Sequence, residues 1–484
     1  MPVRDLKMTT IRSLFWKLFE QGGSGIVTLV VQIVMARLLS PDEFGMLAIM
    51  LVFVNVGNVI VQSGLNTAII QSPDANERDY STVFWMSSAI SLVLYVVIFA
   101  TAPLIAQFYG MPSAVVPLRV LVLVLVINAY NSIQEAIVAR ELEFQKTFRA
   151  TVTAGIVSGT SGIVVALLGG GIWALVAQQL VQQLCKCFVL ALQIPWRPRL
   201  VFDWHRAVTL FRFGWKLLAS GVLDQGYQGL SDLMIGKVFS SVDLGYVSQG
   251  KRYPYYLGVV LDGAIQPVML SAVARVQDDL TCVKRLARRA LKTSTFLVVP
   301  SMVLFALVAE PVVRFVLGEA WLPSVPFLQM YCIVYAMLPI HTTNLQTLNG
   351  MGRSDLFLRL EIIKKVIGVS VLAFGVFVLR NLYAIVVSYI VTGFISTIIN
   401  AHPNKRVIGY NYLEQLRDIA PAFILSAIAA AVAWPICLLA LPDPLTVVFQ
   451  GIVMLAAYLL LSRLLGIEEL SYLLSTVKEI RISG

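Results

Sequence analysis

Polar side chains recur at helical spacing inside stretches that are otherwise apolar. Lys17, Gln21, Ser24, Thr28 and Gln32 fall at i, i+4, i+7, i+11 and i+15, one continuous helix face. Asn55, Asn58, Gln62 and Asn66 form a second stripe, and Lys216, Ser220, Asp224, Tyr227 and Ser231 a third. A fourth holds Lys251, Tyr255, Asp262 and Gln266. Amides and hydroxyls suit a hydrated surface, tyrosine rings can stack on flat faces, and lysines suit anions, so the chemistry these stripes offer is binding. Two accounts are open for any one residue: lining a hydrated substrate path, or bonding helix to helix.

The most demanding feature is Lys251-Arg252, followed by Tyr253-Pro254-Tyr255-Tyr256, about six residues inside an apolar run. Each cation costs roughly 2.5–3.5 kcal/mol at a membrane-helix centre and somewhat less here. Three compensations are open: snorkelling to the interface, pairing with Asp224, Asp232 or Asp262, and contact with an anionic substrate. Adjacent helical residues point about 100° apart, so at most one of the pair faces a given path. Lys251 shares a face with Tyr255 and Asp262 and is the better candidate. Pro254 predicts a kink.

No catalytic set accompanies these residues. There is no phosphate-cradling glycine loop with its lysine, so ATP is not the expected direct energy source. His205, His341 and His402 are scattered, and five cysteines lie in apolar runs without ligand or disulfide spacing. The expectation is a protein that is not an enzyme, with no metal and no cofactor.

The elements that must carry these stripes follow from composition. Of 484 residues, 58% are hydrophobic and 13% charged, with a mean hydropathy of +0.80. Soluble domains carry roughly 25% charged residues, which excludes an ordinary soluble enzyme and a nucleic-acid binder. Spans of about 20 apolar residues can be placed fourteen times, from 14–36 to 444–466. Arg4, Lys7 and Arg12 precede the first run, but it ends at Arg37 without a small-residue cleavage site, so it reads as a span that stays.

The net charge of +10 reads as basic cytoplasmic loops. Arg140, Lys146 and Arg149, then Arg197, Arg199 and Arg206, then Arg275, Lys284, Arg285, Arg288 and Arg289 all fall in even-numbered connections. This places both termini in the cytoplasm. The connection at 67–80 departs, with Asp74, Glu77 and Asp79 against Arg78.

The chain also repeats itself at about 200 residues. Leu39-Ser40-Pro41-Asp42-Glu43-Phe44-Gly45 matches Phe239-Ser240-Ser241-Val242-Asp243-Leu244-Gly245, and Trp16-Lys17-Leu18 matches Trp215-Lys216-Leu217. Six spans per copy is an even number, so the copies run in parallel about an axis along the membrane normal. At that spacing Tyr255, Asp262 and Gln266 fall on Asn55, Gln62 and Asn66. Four stripes in matching places favour a hydrated cavity between lobes. The expected architecture is an all-α integral membrane protein. A six-helix lobe occupies 1–200, a second occupies 201–410, and 411–484 holds helices 13 and 14 and a cytoplasmic tail.

These features resemble a known family. The lysine-bearing first helix, the turn at 38–45 with its second copy, and the stretch from Leu244-Gly245-Tyr246 through Tyr253 to Pro267 and Arg275-Val276-Gln277-Asp278-Asp279 are similar to the polysaccharide flippases of the MOP (multidrug/oligosaccharidyl-lipid/polysaccharide) exporter superfamily. The stretch from Leu244 to Asp279 looks like the colanic-acid-exporter type. The resemblance implies two bundles around a V-shaped cavity plus two extra helices, as in the MATE and lipid II flippase folds. It implies a substrate of undecaprenyl pyrophosphate carrying an oligosaccharide, moved from the cytoplasmic to the periplasmic leaflet of a bacterial inner membrane. Membrane lipid and possible polymerase and export machinery are the other implied partners. Lys17, Lys216, Lys251 and Arg252 fit the cationic lining such cavities tend to have. Asp224 and Asp262 depart from it, with sugar binding, lysine pairing and ion coupling all open. Gln21, Asn55, Gln62, Tyr255 and Gln266 complete the candidate lining. The alternative is a cation-coupled multidrug exporter of the same superfamily.

Overall fold

The structure, a computed structural model, describes residues 25, 27–62, 64–71, 76–263, 269 and 272–473. Among these every regular element is helical. The helices are α1 (Val27–Leu38), α2 (Pro41–Gln62), α3 (Leu65–Gln71), α4 (Glu77–Phe108), α5 (Val115–Leu121), α6 (Leu123–Glu141), α7 (Phe144–Leu167), α8 (Ile172–Gln193), α9 (Trp204–Val238) and α10 (Ser241–Gly263). There follow α11 (Leu280–Leu307), α12 (Ala309–Val316), α13 (Val325–Ala336), α14 (Leu338–Gly350), α15 (Ser354–Ala373), α16 (Leu382–Val407), α17 (Tyr412–Ala433) and α18 (Asp443–Leu464). Among the described residues eleven helical segments are long and apolar enough to cross a membrane. The chain is therefore an all-α, multi-pass membrane protein. The helices α9 and α10 fall short of that apolarity. They carry two of the four polar stripes, so the groups that mark them for function also dilute their hydropathy. Pro254 lies within α10, which stays helical through it.

The chain forms two compact units, residues 1–248 and 249–484. In the first unit, the duplicated turns start α2 and α10, and in each a serine hydroxyl donates to the carboxylate three residues on. Glu43 accepts from the Ser40 backbone N–H at 2.7 Å and its hydroxyl at 3.0 Å. Asp243 accepts from the Ser240 hydroxyl at 2.7 Å, while its own N–H donates back at 3.0 Å. Each satisfies helix-end groups that would otherwise be orphaned. The two turns also face each other. A Cβ on Gly45 would lie 1.7 Å from the Ser241 carbonyl oxygen, and one on Gly245 would lie 2.0 Å from that of Pro41. The Ser241 hydroxyl donates to Asp42 across the same junction.

The close approach continues along α2. Cβ atoms on Gly221, Gly229 and Gly236 of α9 would meet Val59 at 2.9 Å, Val52 at 2.5 Å and Ile49 at 2.4 Å. Gly64 presses on the backbone of Gly214. Lipid tails are as apolar as leucine, so helix association in a membrane depends on such fitting.

At one end of this unit three connections converge. Arg199 pairs with Glu77 at 2.6 Å and Arg206 with Asp79 at 3.4 Å. The Trp85 indole N–H donates to the Arg199 carbonyl at 2.8 Å, and Arg140 donates to the Tyr80 hydroxyl at 2.9 Å. Trp196 packs beneath, stacked on Tyr130 at 5.7 Å. The acidic connection that departs from the charge rule thus holds the counter-ions of a basic one.

In the second unit, α11 is clamped to α17 and the segment after α18 by a ladder of ion pairs one turn apart. Lys284 meets Glu414 at 2.8 Å, Arg288 meets Asp418 at 2.7 Å, and Lys292 meets Glu469 at 3.0 Å. Tyr410 donates to the other Asp418 oxygen at 2.7 Å. Burial and that bond push the Tyr410 phenol well above its ordinary range, so it stays a donor. Deeper in, Phe296, Leu425, Ala429, Met454 and Tyr458 form an apolar core.

Gly45→Ala and Gly245→Ala meet backbone, which cannot swing aside. Each is expected to cost about 1–3 kcal/mol or more. Gly226→Ala, with nothing within 4 Å of the added atom, should be neutral or slightly stabilising. Thermal melting of the purified protein in detergent separates these outcomes.

Candidate functional site

The first unit carries the second stripe in view. Asn55 and Gln62 are exposed on α2, and Asn58 is half-buried. An amide pointing into lipid forfeits its hydrogen bonds, so exposed amides on a membrane-length helix mark a hydrated surface. Asn58 also begins a chain of amides. Asn128 of α6 donates to the Asn58 side-chain oxygen at 2.9 Å. Asn131 donates to Asn128 at 3.4 Å and to the Gln183 backbone carbonyl of α8 at 3.1 Å. One turn further, Lys186 and Glu135 pair at 2.5 Å. Asn128, Asn131 and Glu135 stand at i, i+3 and i+7, a spacing that brings them to one face.

Sequence reasoning passed over Glu135 and Lys186 because it followed the repeat-matched helices. The signal was present: each is a charge inside an apolar span, and Lys186 is the one charge in 171–194. On α9, Asp224 is half-buried and accepts from Gln228 at 2.8 Å. Lys216 lies on the same helix, with its side chain outside the described set. Lys17, Gln21 and Gln266 lie outside the described residues. Beside α2 and α9 is an apolar recess of about 700 Å³, lined by Ile60, Trp215, Leu218 and Val222 among others.

The second unit holds the remaining candidates. Lys251 and Arg252 are half-buried on α10. Tyr255 is 45% exposed and packs edge-on against Tyr256 at 5.8 Å and Tyr335 at 5.7 Å. The row continues through Tyr331, stacked on Tyr335 at 6.3 Å, to Tyr389 at 6.2 Å. Tyr331 and Tyr335 are one turn apart on α13, which is why they join the α10 tyrosines in one aromatic face. Asp262 is buried, and one carboxylate oxygen accepts from the Thr342 hydroxyl at 2.5 Å. Among the described residues its other oxygen has no hydrogen-bond partner.

Near it α14, α16 and α17 share a buried amide knot. Asn344 donates to Gln415 at 2.8 Å and accepts from it at 3.0 Å, and Asn404 donates to Asn344 at 2.6 Å. His341 meets Asn400 at 3.1 Å. Among the described residues no group of three or more His, Cys, Asp or Glu could hold a metal ion.

Among the described residues, apolar helices expose amides, tyrosines and paired charges, the kind of surface a membrane transporter offers its cargo. The comparisons agree. The chain belongs to the polysaccharide biosynthesis protein family, which matches residues 34–326. The succinoglycan biosynthesis transport protein ExoT of Rhizobium meliloti (strain 1021) is 24% identical over 76% of this chain and 74% of its own. The lipopolysaccharide biosynthesis protein WzxC of Escherichia coli (strain K12) is 23% identical over 84% and 82%. In fold the chain is similar to the lipid II flippase MurJ in an inward closed conformation, with a TM-score of 0.73 over 94% of this chain and 99% of that one, at 14% identity.

Asn344→Leu strands the Gln415 and Asn404 amides, each costing about 1–3 kcal/mol when buried and unpaired. The melting temperature of the purified variant is expected to fall clearly. An unchanged value would mean that the two remaining amides pair with each other.

Proposed function

We propose that this protein is a flippase for lipid-linked oligosaccharides. It moves undecaprenyl-pyrophosphate-linked repeat units from the cytoplasmic to the periplasmic leaflet of the inner membrane, feeding exopolysaccharide, capsule or O-antigen synthesis. It is not an enzyme, and both termini face the cytoplasm. The observation that carries the reading is the exposed amide face of α2, Asn55 and Gln62, on a membrane-length helix of a chain in this family. A sugar headgroup needs such a surface, while a polyprenyl tail stays among apolar side chains.

The mechanism is alternating access by the two repeats, 1–200 and 201–410, with helices 13 and 14 in 411–484 outside them. Lys17 and Lys216 sit near the inner mouth and draw the anionic headgroup in. Lys251, with Arg252 beside it, meets the pyrophosphate higher up. Gln21, Asn55, Gln62, Asp224 and Gln266 hydrogen-bond sugar hydroxyls, and Tyr255 stacks on a sugar face. The inside-negative potential favours outward movement of an anion by roughly 2.3 kcal/mol per charge per 100 mV. A multidrug exporter would share the fold, so fold alone does not separate the readings. That rival needs open acidic groups for a cationic drug, and the burial of Asp262 against Thr342 supports the flippase instead.

Deleting the gene is expected to trap repeat units on the cytoplasmic leaflet, shielded from a membrane-impermeant glycan-modifying probe, with loss of surface polymer. Unchanged pools, polymer and probe access in a strain lacking other flippases would sink the reading. Lys251→Glu should abolish export at normal protein level. Polymer at wild-type amounts would remove Lys251 from the site.

A further inference from the structure

The Lys186–Glu135 pair is an intramembrane ion pair that the proposed transport path leaves unused. Its two helices, α8 and α6, belong to one compact unit, so its geometry stands by itself. Lys186 lies seven residues before the end of α8 and Glu135 six before the end of α6, which places both roughly 10 Å inside the helix ends. Nζ and Oε1 are 2.5 Å apart. Yet the pair is not sealed: the lysine side chain is 20% exposed and the glutamate 37%. Beside it run Asn131, Gln183 and Asn128, bonded into the chain that reaches Asn58. Gln182 stands one turn before Lys186 and is half-buried.

A charge pair at this depth is costly, and apolar residues of similar size would hold the helices as well or better. Ionisable groups within membrane spans are therefore functional candidates by default. The two charges cancel, which lets the site stand empty in a membrane. The glutamate is the more exposed partner, so it has room to swing away while the lysine stays. A diphosphate carries more charge than one carboxylate and competes for the same ammonium.

We propose that Lys186 is an anion subsite for a diphosphate headgroup, and that Glu135 is its built-in counter-ion, displaced when the headgroup arrives and restored when it leaves. The neighbouring amides of Gln182 and Gln183 supply donors around it. The proposal rests on the flippase reading and adds to it a subsite with its own reset.

The test measures binding to the purified full-length protein by native mass spectrometry. The probes are undecaprenyl pyrophosphate, inorganic pyrophosphate and phosphatidylglycerol. Lys186→Gln should weaken undecaprenyl pyrophosphate binding about tenfold or more, and Lys186→Arg should retain it within about threefold. Glu135→Gln should strengthen binding severalfold, because the competing carboxylate is gone. If that variant does not fold, Glu135→Asp, with a shorter and weaker hold, should strengthen binding in the same direction. Inorganic pyrophosphate competing for the site supports recognition of the phosphates themselves. Equal binding of phosphatidylglycerol would mark a general lipid-headgroup site and overturn the diphosphate assignment. Wild-type affinity in both Lys186→Gln and the Glu135 variants would reduce the pair to a structural one. A wild-type protein that binds neither undecaprenyl pyrophosphate nor pyrophosphate would overturn the flippase reading, whereas loss of only the variant effects leaves that reading standing.

Discussion

The fit of α2 against α9 and the start of α10 is the constraint on which the first unit depends. Water drives soluble helices together, and lipid does not. What remains is contact at short range, and glycine permits the shortest. Gly221, Gly229 and Gly236 recur about every two turns of α9, opposite Val59, Val52 and Ile49 of α2. Gly45 and Gly245 let two backbones touch where no side chain could intervene. Beside that packed stripe of α2, Asn55 and Gln62 stay exposed. Packing and polar lining thus run side by side along one helix, Asn55 and Gln62 each standing one turn from Val52 and Val59.

The second constraint is that polar groups within apolar helices need partners. Most find them nearby. Thr101, Thr160, Ser294 and Thr295 return their hydroxyls to carbonyls of the preceding turn. The amides of Asn344, Asn404 and Gln415 close on one another. Against this background the groups that stay accessible stand out: the α2 amides, Tyr255 and the Lys186–Glu135 pair.

Much of this was legible in the sequence. Apolar runs declare spans because helices alone satisfy their backbone in lipid. The Ser-Pro-Asp-Glu-Phe-Gly turn and its second copy, Ser-Ser-Val-Asp-Leu-Gly, foretold two equivalent helix starts, each capped by a serine–carboxylate bond. The stripe on α2 was readable because helical periodicity survives an apolar context. What periodicity does not give is the partner. Nothing in the sequence ties Asp262 to Thr342 or Tyr255 to Tyr335, since these lie about 80 residues apart and meet only through packing. Glu135 and Lys186 were visible as isolated charges, but their pairing across α6 and α8 was not. The acidic connection at 67–80 was read as an exception to a charge count; it is the counterpart of Arg199 and Arg206.

The ion-pair ladder on α11 bears on how the end of the chain can vary. Lys284, Arg288 and Lys292 draw their counter-charges from Glu414, Asp418 and Glu469, all beyond residue 410. The last two membrane helices are therefore not an appendage that can be shed. A shortened chain would leave three cations on a membrane helix without acids to answer them. Any lineage that dispensed with this pair of helices had to rewrite α11 as well. Loss of the tail and loss of those three basic residues should then travel together through evolution.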